Sequence, residues 1–309
     1  MKTSPQKTPA LNTPGQAMRA GTVALVGRAN VGKSTLLNAL LGEPIAIISP
    51  HPQTTRDVVR GVLTRDDAQY VFLDTPGLHA PRSLLGERMN RSARGAIRDA
   101  DAVVLMVDAS GGHEADLALA AELGPLARTV LAINKVDRVA EKALLLPLLD
   151  RFGKSAELAA IVPVSAKRAE GLEPLLAEIR ALLPEQPRLF EPDTLSDQPV
   201  RFFVGEIVRE QILKHTRQEV PHGVAVVVER FDESGKTPQI EVSIHVAREA
   251  HTKILVGAKG NMLKAIGMAA RARIERMLGR KVRLQMRVRA TPGWMDDQER
   301  LRALGYGQD

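Results

Sequence analysis

The sequence predicts an α/β domain, with a mainly parallel sheet and helices on both faces, followed by a smaller α+β domain. Three stretches carry that reading. From Thr22 to Leu183, short β-branched runs (TVALVG, VVRGVLT, YVFLD, AVVLMVD, TVLAIN, IVPVS) alternate with helical patterns, as an open sheet covered by helices requires. From Pro184 to Pro199 the chain reads PEQPRLFEPDTLSDQP, whose prolines cannot continue a helix or a central strand. Beyond it the pattern becomes a helix (Phe202 to Lys214), strands over Val224 to Phe231 and Ile240 to Val246, two helices around VGAKG, and a strand from Val282 to Val288. The expected bounds are a disordered tail over 1–19, a first domain over 20–183, a linker over 184–200 and a second domain with its C-terminal tail over 201–309.

Composition narrows the function classes. The chain has 309 residues, 44% hydrophobic, and no cysteine, which excludes a disulfide framework, a thiol nucleophile and cysteine zinc sites and fits a reducing compartment. Apolar runs such as Ala102 to Val107 are far too short to span a membrane. The opening MKTSPQKTPALNTPGQ lacks the apolar stretch of a signal peptide and reads as a solvated tail. A cytoplasmic address follows. Charge is uneven: Arg248 to Ala290 holds twelve Lys or Arg and two acids, against a net +7 for the chain. Such a block suits a polyanion partner, and a solvated basic helix equally well.

GRANVGKS, Gly27 to Ser34, matches G-x-x-x-x-G-K-[ST] between a predicted strand and a predicted helix. Backbone N–H groups of Gly27, Asn30, Val31 and Gly32 can face phosphates, with the helix dipole in support and Thr35 following in its first turn. Lys33 suits the β- and γ-phosphate oxygens, and the Ser34 hydroxyl suits Mg²⁺. The choice of base rests on NKVD, Asn134 to Asp137, and SAK, Ser165 to Lys167. The Asp137 carboxylate can accept from guanine N1–H and N2–H₂, Asn134 can hold the loop, the Lys135 stem can cover the ring, and the Ala166 N–H can donate to O6. A site built on such bonds discriminates by about 10⁴, because adenine would leave buried polar groups unpaired. DTPG ends the strand YVFLD, placing Asp74 toward Mg²⁺ and the Gly77 N–H toward the γ-phosphate. In QTTR, Gln53 to Arg56, Thr55 is the preferred metal hydroxyl, with Thr54 close behind. GTP or GDP with Mg²⁺ is the implied ligand set.

The residue after DTPG is Leu78, which cannot orient water. Intrinsic turnover on the order of 10⁻⁴ to 10⁻² s⁻¹ is therefore expected. Asn30 either helps to coordinate a K⁺ ion bridging the phosphates or merely shapes the loop.

In the second half, ILVGAKGNMLKAIG sets a G-x-x-G loop, Gly257, Ala258, Lys259 and Gly260, between two helices inside the basic block. With the α-β-β-α-α-β order this is the arrangement of a type II KH module, whose loop clamps a nucleic-acid backbone. Lys253, Lys259 and Lys264 are the expected phosphate partners. Aromatics are only 3% of the chain, so an aliphatic groove is expected rather than base stacking.

From Gly21 to Tyr306 the chain resembles the Era family of bacterial GTPases: GRANVGKSTLLNALLG, QTTR, DTPGLH, NKVD, SAK, QPVRFFVGEIVRE, VAVVVERF, ILVGAKG and the closing GWMDDQERLRALGY. The resemblance implies a P-loop GTPase domain followed by a KH domain, binding near the 3′ end of small-subunit ribosomal RNA, and a role in assembling the small ribosomal subunit. It also implies peripheral association with the inner membrane face in some members; a monomer is expected. The chain departs from the family in its longer Pro/Thr tail and in His222, which stands where an aromatic is usual and is left without a role. A tRNA-modification GTPase would need further domains and a terminal cysteine, and a double-GTPase factor a second phosphate loop. A passive RNA-binding scaffold would have no need of Lys33, Ser34, Thr55 and Asp74.

Overall fold

The computed structural model describes residues 18–111, 113–123, 128–216 and 220–306. The expected tail lies outside them except for Met18 and Arg19, which are in the sheet: β1 runs Met18–Val26. Strands β1, β3 (Ala68–Asp74), β4 (Ala102–Asp108), β5 (Thr129–Asn134) and β6 (Ala160–Pro163) are parallel, and β2 (Val59–Thr64) adds an antiparallel edge, in the order β2-β3-β1-β4-β5-β6. Every residue of β3 and β5 is buried, as expected of strands covered on both faces, which read as continuous apolar runs rather than alternating ones. Two cores flank the sheet, one around Leu36, Phe72 and Ile179 and the other around Leu105, Ile133 and Phe152. The covering helices are α1 (Lys33–Leu41), α2 (Leu84–Asp99), α3 (Glu114–Leu123), α4 (Leu146–Ser155) and α5 (Leu172–Leu182).

The proline-rich segment is laid against the first domain rather than hanging between the two. Its Glu185–Gln186 forms β7, antiparallel to the start of β1. Farther on, the Leu195 carbonyl accepts from the Val62 N–H at 2.9 Å, and Asp197 pairs with Arg60. Gln69, fully buried, accepts from the N–H groups of Leu189 and Phe190. An edge strand with unpaired backbone groups is thereby covered.

The second domain comprises α6 (Val200–His215), β8 (Val224–Asp232), β9 (Gln239–Val246), α7 (Glu249–Val256), α8 (Asn261–Leu278) and β10 (Arg283–Ala290). Its three-stranded sheet has the order β10-β9-β8, with β8–β9 antiparallel and β9–β10 parallel. A single core, including Val208, Ile244, Ile266 and Ile274, fills the space between sheet and helices. The closing segment is structured too. Trp294 is fully buried, stacks on Tyr306 at 5.6 Å and donates its Nε1–H to the Gly223 carbonyl; α9 (Gln298–Ala303) follows. Together with Leu301 and Leu304 these rings pack on Ala225 of β8 and on Leu85 and Met89 of α2, so the two domains share a small apolar core.

Candidate nucleotide site and nucleic-acid interface

The first site lies at the C-terminal ends of the parallel strands, where open α/β sheets bind their ligands. Gly27 follows the end of β1, and α1 starts at Lys33 with Gly32 as its cap at φ +107°. A Cβ on Gly32 would fall 2.3 Å from Asn134 Nδ2, so both backbone angle and space demand glycine. Gly77 is equally confined: a Cβ there would meet the Ala29 backbone at 2.8 Å. The strand ending in Asp74 therefore presses its turn directly onto the glycine-rich loop.

Three oxygens converge beneath that loop. Ser34 Oγ donates to Asp74 Oδ2 at 2.7 Å, Thr55 Oγ1 donates to the same oxygen at 3.1 Å, and the two hydroxyls lie 3.0 Å apart. Thr54 is turned away, its hydroxyl donating to the His51 carbonyl. Asp74 is fully buried, and its Oδ1 has no hydrogen-bond donor among the described residues. Burial raises its pKa, against the opposing pull of Lys33, Ser34 and Thr55. A desolvated carboxylate with a free oxygen beside two hydroxyls is an oxygen-only donor set suited to a hard divalent cation. Lys33 Nζ donates to the carbonyls of Gly27 and Arg28 at 3.1 and 3.0 Å. Burial lowers its pKa to about 8, with Asp74 working the other way.

The base-side residues close around Asn134, 2% exposed at the end of β5. Its Nδ2 donates to the Val31 carbonyl at 2.8 Å, and its Oδ1 accepts from the Ala166 N–H at 2.9 Å. The Ala166 N–H, expected on guanine O6, is thus given to Asn134, because the buried amide oxygen needs a donor. Asp137 accepts from Ser165 Oγ at 2.7 Å; this bond leads the causes that hold its carboxyl below the usual range. Ser165 therefore favours the charged form of Asp137 and fixes its orientation. Lys135 Nζ, expected only to lay its stem along the base, also donates to the Asn30 carbonyl and to Asp108 Oδ2. Lys167 is exposed and Thr35 half-buried.

Sequence reasoning missed several contacts here. Burial disfavours the Asp108 charge, yet its hydrogen bonds to Lys135 and Ser110 prevail and lower its pKa. The parallel register sets Asp108 opposite Asn134, so the alignment of strand ends was the available signal. Gln53 Nε2 meets His79 Nε2 at 2.9 Å, tying the QTTR loop to the turn after Asp74. Asn30 Nδ2 donates to the Pro50 carbonyl, a second tie to that loop.

The second site surrounds the Gly257–Gly260 loop, which joins α7 to α8. A groove of about 600 Å³ runs beside it, lined by Gly260, Leu263, Lys264, Gly267, Met268, Arg271, Leu284 and Met286. Its walls are mostly aliphatic with a cationic rim. Lys253, Lys259 and Lys264 are exposed. Arg273, within the basic block, is turned into the protein: it pairs with buried Glu210 of α6 and donates to the Pro44 carbonyl of the first domain.

The fold and its two sites define a GTPase domain joined to a KH domain. A family model described as a 50S ribosome-binding GTPase matches residues 22–135, and a KH-domain model matches residues 219–294. The chain is 42% identical over 288 residues to the GTPase Era of Stenotrophomonas maltophilia, covering 93% of this chain and 97% of that one. It is 41% identical over 291 residues to that of Lactobacillus delbrueckii subsp. bulgaricus, with 93% and 96% covered. Among solved structures, an Aquifex aeolicus Era variant bound to GDP·AlF₄⁻ superposes with a TM-score of 0.90 at 39% identity, over 94% of this chain and 100% of that one. Era in complex with MgGDPNP and nucleotides 1506–1542 of 16S ribosomal RNA gives 0.91 at 39% identity with the same coverage. The chain belongs to the Era family of GTPases.

Two measurements follow from the nucleotide site. Asp137→Asn exchanges an acceptor for a donor opposite guanine N1–H, so competition binding should show preference moving to xanthine nucleotides; retained GTP preference contradicts the assignment. The folded pKa of Lys33 lies below its unfolded value, so the free protein has lost about half of this ammonium by about pH 8. A polyphosphate favours the charged form, so GTP affinity should be maximal below pH 8 and fall about tenfold by pH 9, with proton uptake on binding. An affinity independent of pH from 7 to 9 would rule this out.

Proposed function

We propose that the protein is a GTP-hydrolysing switch that binds the 3′ region of small-subunit (16S) ribosomal RNA and acts in small-subunit assembly and maturation. The observation that carries this is the pairing, on one chain, of the Ser34–Thr55–Asp74 oxygen cluster with the aliphatic groove beside Gly257–Gly260. The bound nucleotide and RNA of the Era structures support it.

In this reading Lys33 leaves the loop carbonyls for the β- and γ-phosphate oxygens, and the Gly77 N–H faces the γ-phosphate. Ser34, Thr55 and Asp74 would hold Mg²⁺, which supplies charge neutralisation on the phosphate oxygens. Asp137 reads the guanine edge while Asn134 keeps the base loop against the phosphate loop. Leu78 is half-buried and packs with the core beneath the site, so positioning and charge must carry the chemistry. Potassium belongs to the proposal here: held by Asn30 Oδ1, it would add positive charge between the phosphates. Equal hydrolysis rates in K⁺ and Na⁺ would remove it. The proposal is completed by a monomer working in the cytoplasm with peripheral contact at the inner membrane face.

At the second site the G-x-x-G backbone admits a phosphate strand and the groove takes its bases. Gly260 is the position to test. It has φ +79° with nothing within 4 Å of an added Cβ, whereas a Cβ on Gly257 would strike Met262 at 2.7 Å. Gly260→Asp therefore strains one residue without disturbing packing and adds negative charge where phosphate must lie. Affinity for a 16S 3′-end oligonucleotide should drop steeply while GTP affinity stays unchanged. Wild-type RNA affinity should fall with salt, with a log–log slope of about 0.7 per phosphate contact. Undiminished RNA binding by folded Gly260→Asp would leave the basic block as a solvated face.

A further inference from the structure

The loop between α1 and β2 holds Thr55, and the side chain of its next residue reaches into the second domain. Arg56 is 5% exposed, with its guanidinium inserted into the second domain. Nη1 donates to the Val224 carbonyl at 2.5 Å and to Tyr306 Oη at 3.3 Å, and Nη2 donates to the His222 carbonyl at 2.9 Å. Its Cζ lies 5.7 Å from the Trp294 ring centroid and 5.9 Å from that of Tyr306. Carbonyls in a fixed fork and aromatic faces form a cage to which a planar cation is matched.

From this geometry we infer that Arg56 is a positioning residue: it ties the metal-side hydroxyl of Thr55 to the C-terminal platform of Trp294 and Tyr306. The inference rests on the reading of Thr55 as a metal ligand. Adjacent Cα atoms are about 3.8 Å apart, so displacement of the platform moves Thr55 unless the cage breaks. Breaking it strands a buried guanidinium, which is costly. The loop after Asp74 leads to the same platform. Leu85 and Met89 of α2 pack on Trp294, and the Leu84 N–H donates to Asp296 Oδ1 at 3.2 Å. Both loops flanking the γ-phosphate position therefore end on one platform, which itself leans on Ala225 and the Gly223 carbonyl of the RNA-binding domain. The placement of that domain sets how well Thr55 meets the metal, and so sets hydrolysis.

The test compares full-length wild type, Arg56→Ala, Arg56→Lys and Thr55→Ala. It reads the Mg²⁺ dependence of GTP hydrolysis, GDP affinity, and hydrogen exchange of loop amides 51–57 without nucleotide. Arg56→Ala should raise the Mg²⁺ concentration for half-maximal turnover about tenfold, the low end for residues supporting metal ligands. It should speed exchange across the loop and leave GDP affinity within about twofold of wild type. Arg56→Lys, which keeps the charge but not the fork, should fall between. Thr55→Ala should shift the Mg²⁺ dependence without speeding loop exchange. Wild-type Mg²⁺ dependence and loop exchange in both Arg56 variants, with Thr55→Ala shifted, overturns the inference and leaves Thr55 as a ligand. Wild-type Mg²⁺ dependence in Thr55→Ala overturns both. A parallel loss of GDP affinity in both Arg56 variants, signalling general destabilisation, also overturns it.

Discussion

The nucleotide site depends on a single buried amide. Asn134 spends both ends of its side chain, Nδ2 on the Val31 carbonyl and Oδ1 on the Ala166 N–H, and so joins the phosphate loop, its own strand end and the SAK loop. The consequences spread outward: residue 32 must be glycine because the amide occupies its Cβ position, and Lys135 and Asp137 are presented by the turn that follows. Removing one partner of such a pair leaves the other buried and unsatisfied, which costs about 1–3 kcal/mol. Around that joint stand two ionisable groups that burial pushes toward neutrality, Lys33 downward and Asp74 upward. Each gains from a ligand of opposite charge, so the site is matched to an anionic polyphosphate and a cation.

What could be read from the sequence follows from how local each requirement is. A phosphate loop needs its glycines, lysine and serine contiguous, and GRANVGKS therefore declares itself; the same holds for NKVD, DTPG and the Gly257–Gly260 loop. The first domain's sheet was visible because β3, β4 and β5 are buried on both faces and read as apolar runs. The choice of Thr55 over Thr54 was not readable, since adjacent loop residues differ only in where the backbone turns their hydroxyls. Nothing in SAK reveals that a buried amide oxygen, that of Asn134, also takes the Ala166 N–H.

The larger omission concerns how the halves meet. The contacts of Arg56 with Val224 and Tyr306 join residues 168 and 250 positions apart, and α9 is only six residues long. Such contacts leave no periodicity to detect. The proline-rich stretch does lack a helix or central strand, yet β7, Leu195, Ser196 and Asp197 bind it along the first domain. With the shared core of Leu85, Met89, Trp294 and Tyr306, the two domains are packed bodies rather than beads on a string.

A switch requires that nucleotide and RNA be thermodynamically linked, since a ligand can shift an equilibrium only through differential affinity for its two states. The most direct measurement is the affinity of the full chain for a 16S 3′-end oligonucleotide with GDP and with a non-hydrolysable GTP analogue, at one salt and Mg²⁺ concentration. Coupling of about 1–3 kcal/mol, a 5- to 150-fold difference between the two nucleotides, is the expected result. Equal affinities would contradict the switch and leave a folded RNA-binding scaffold with a nucleotide site attached.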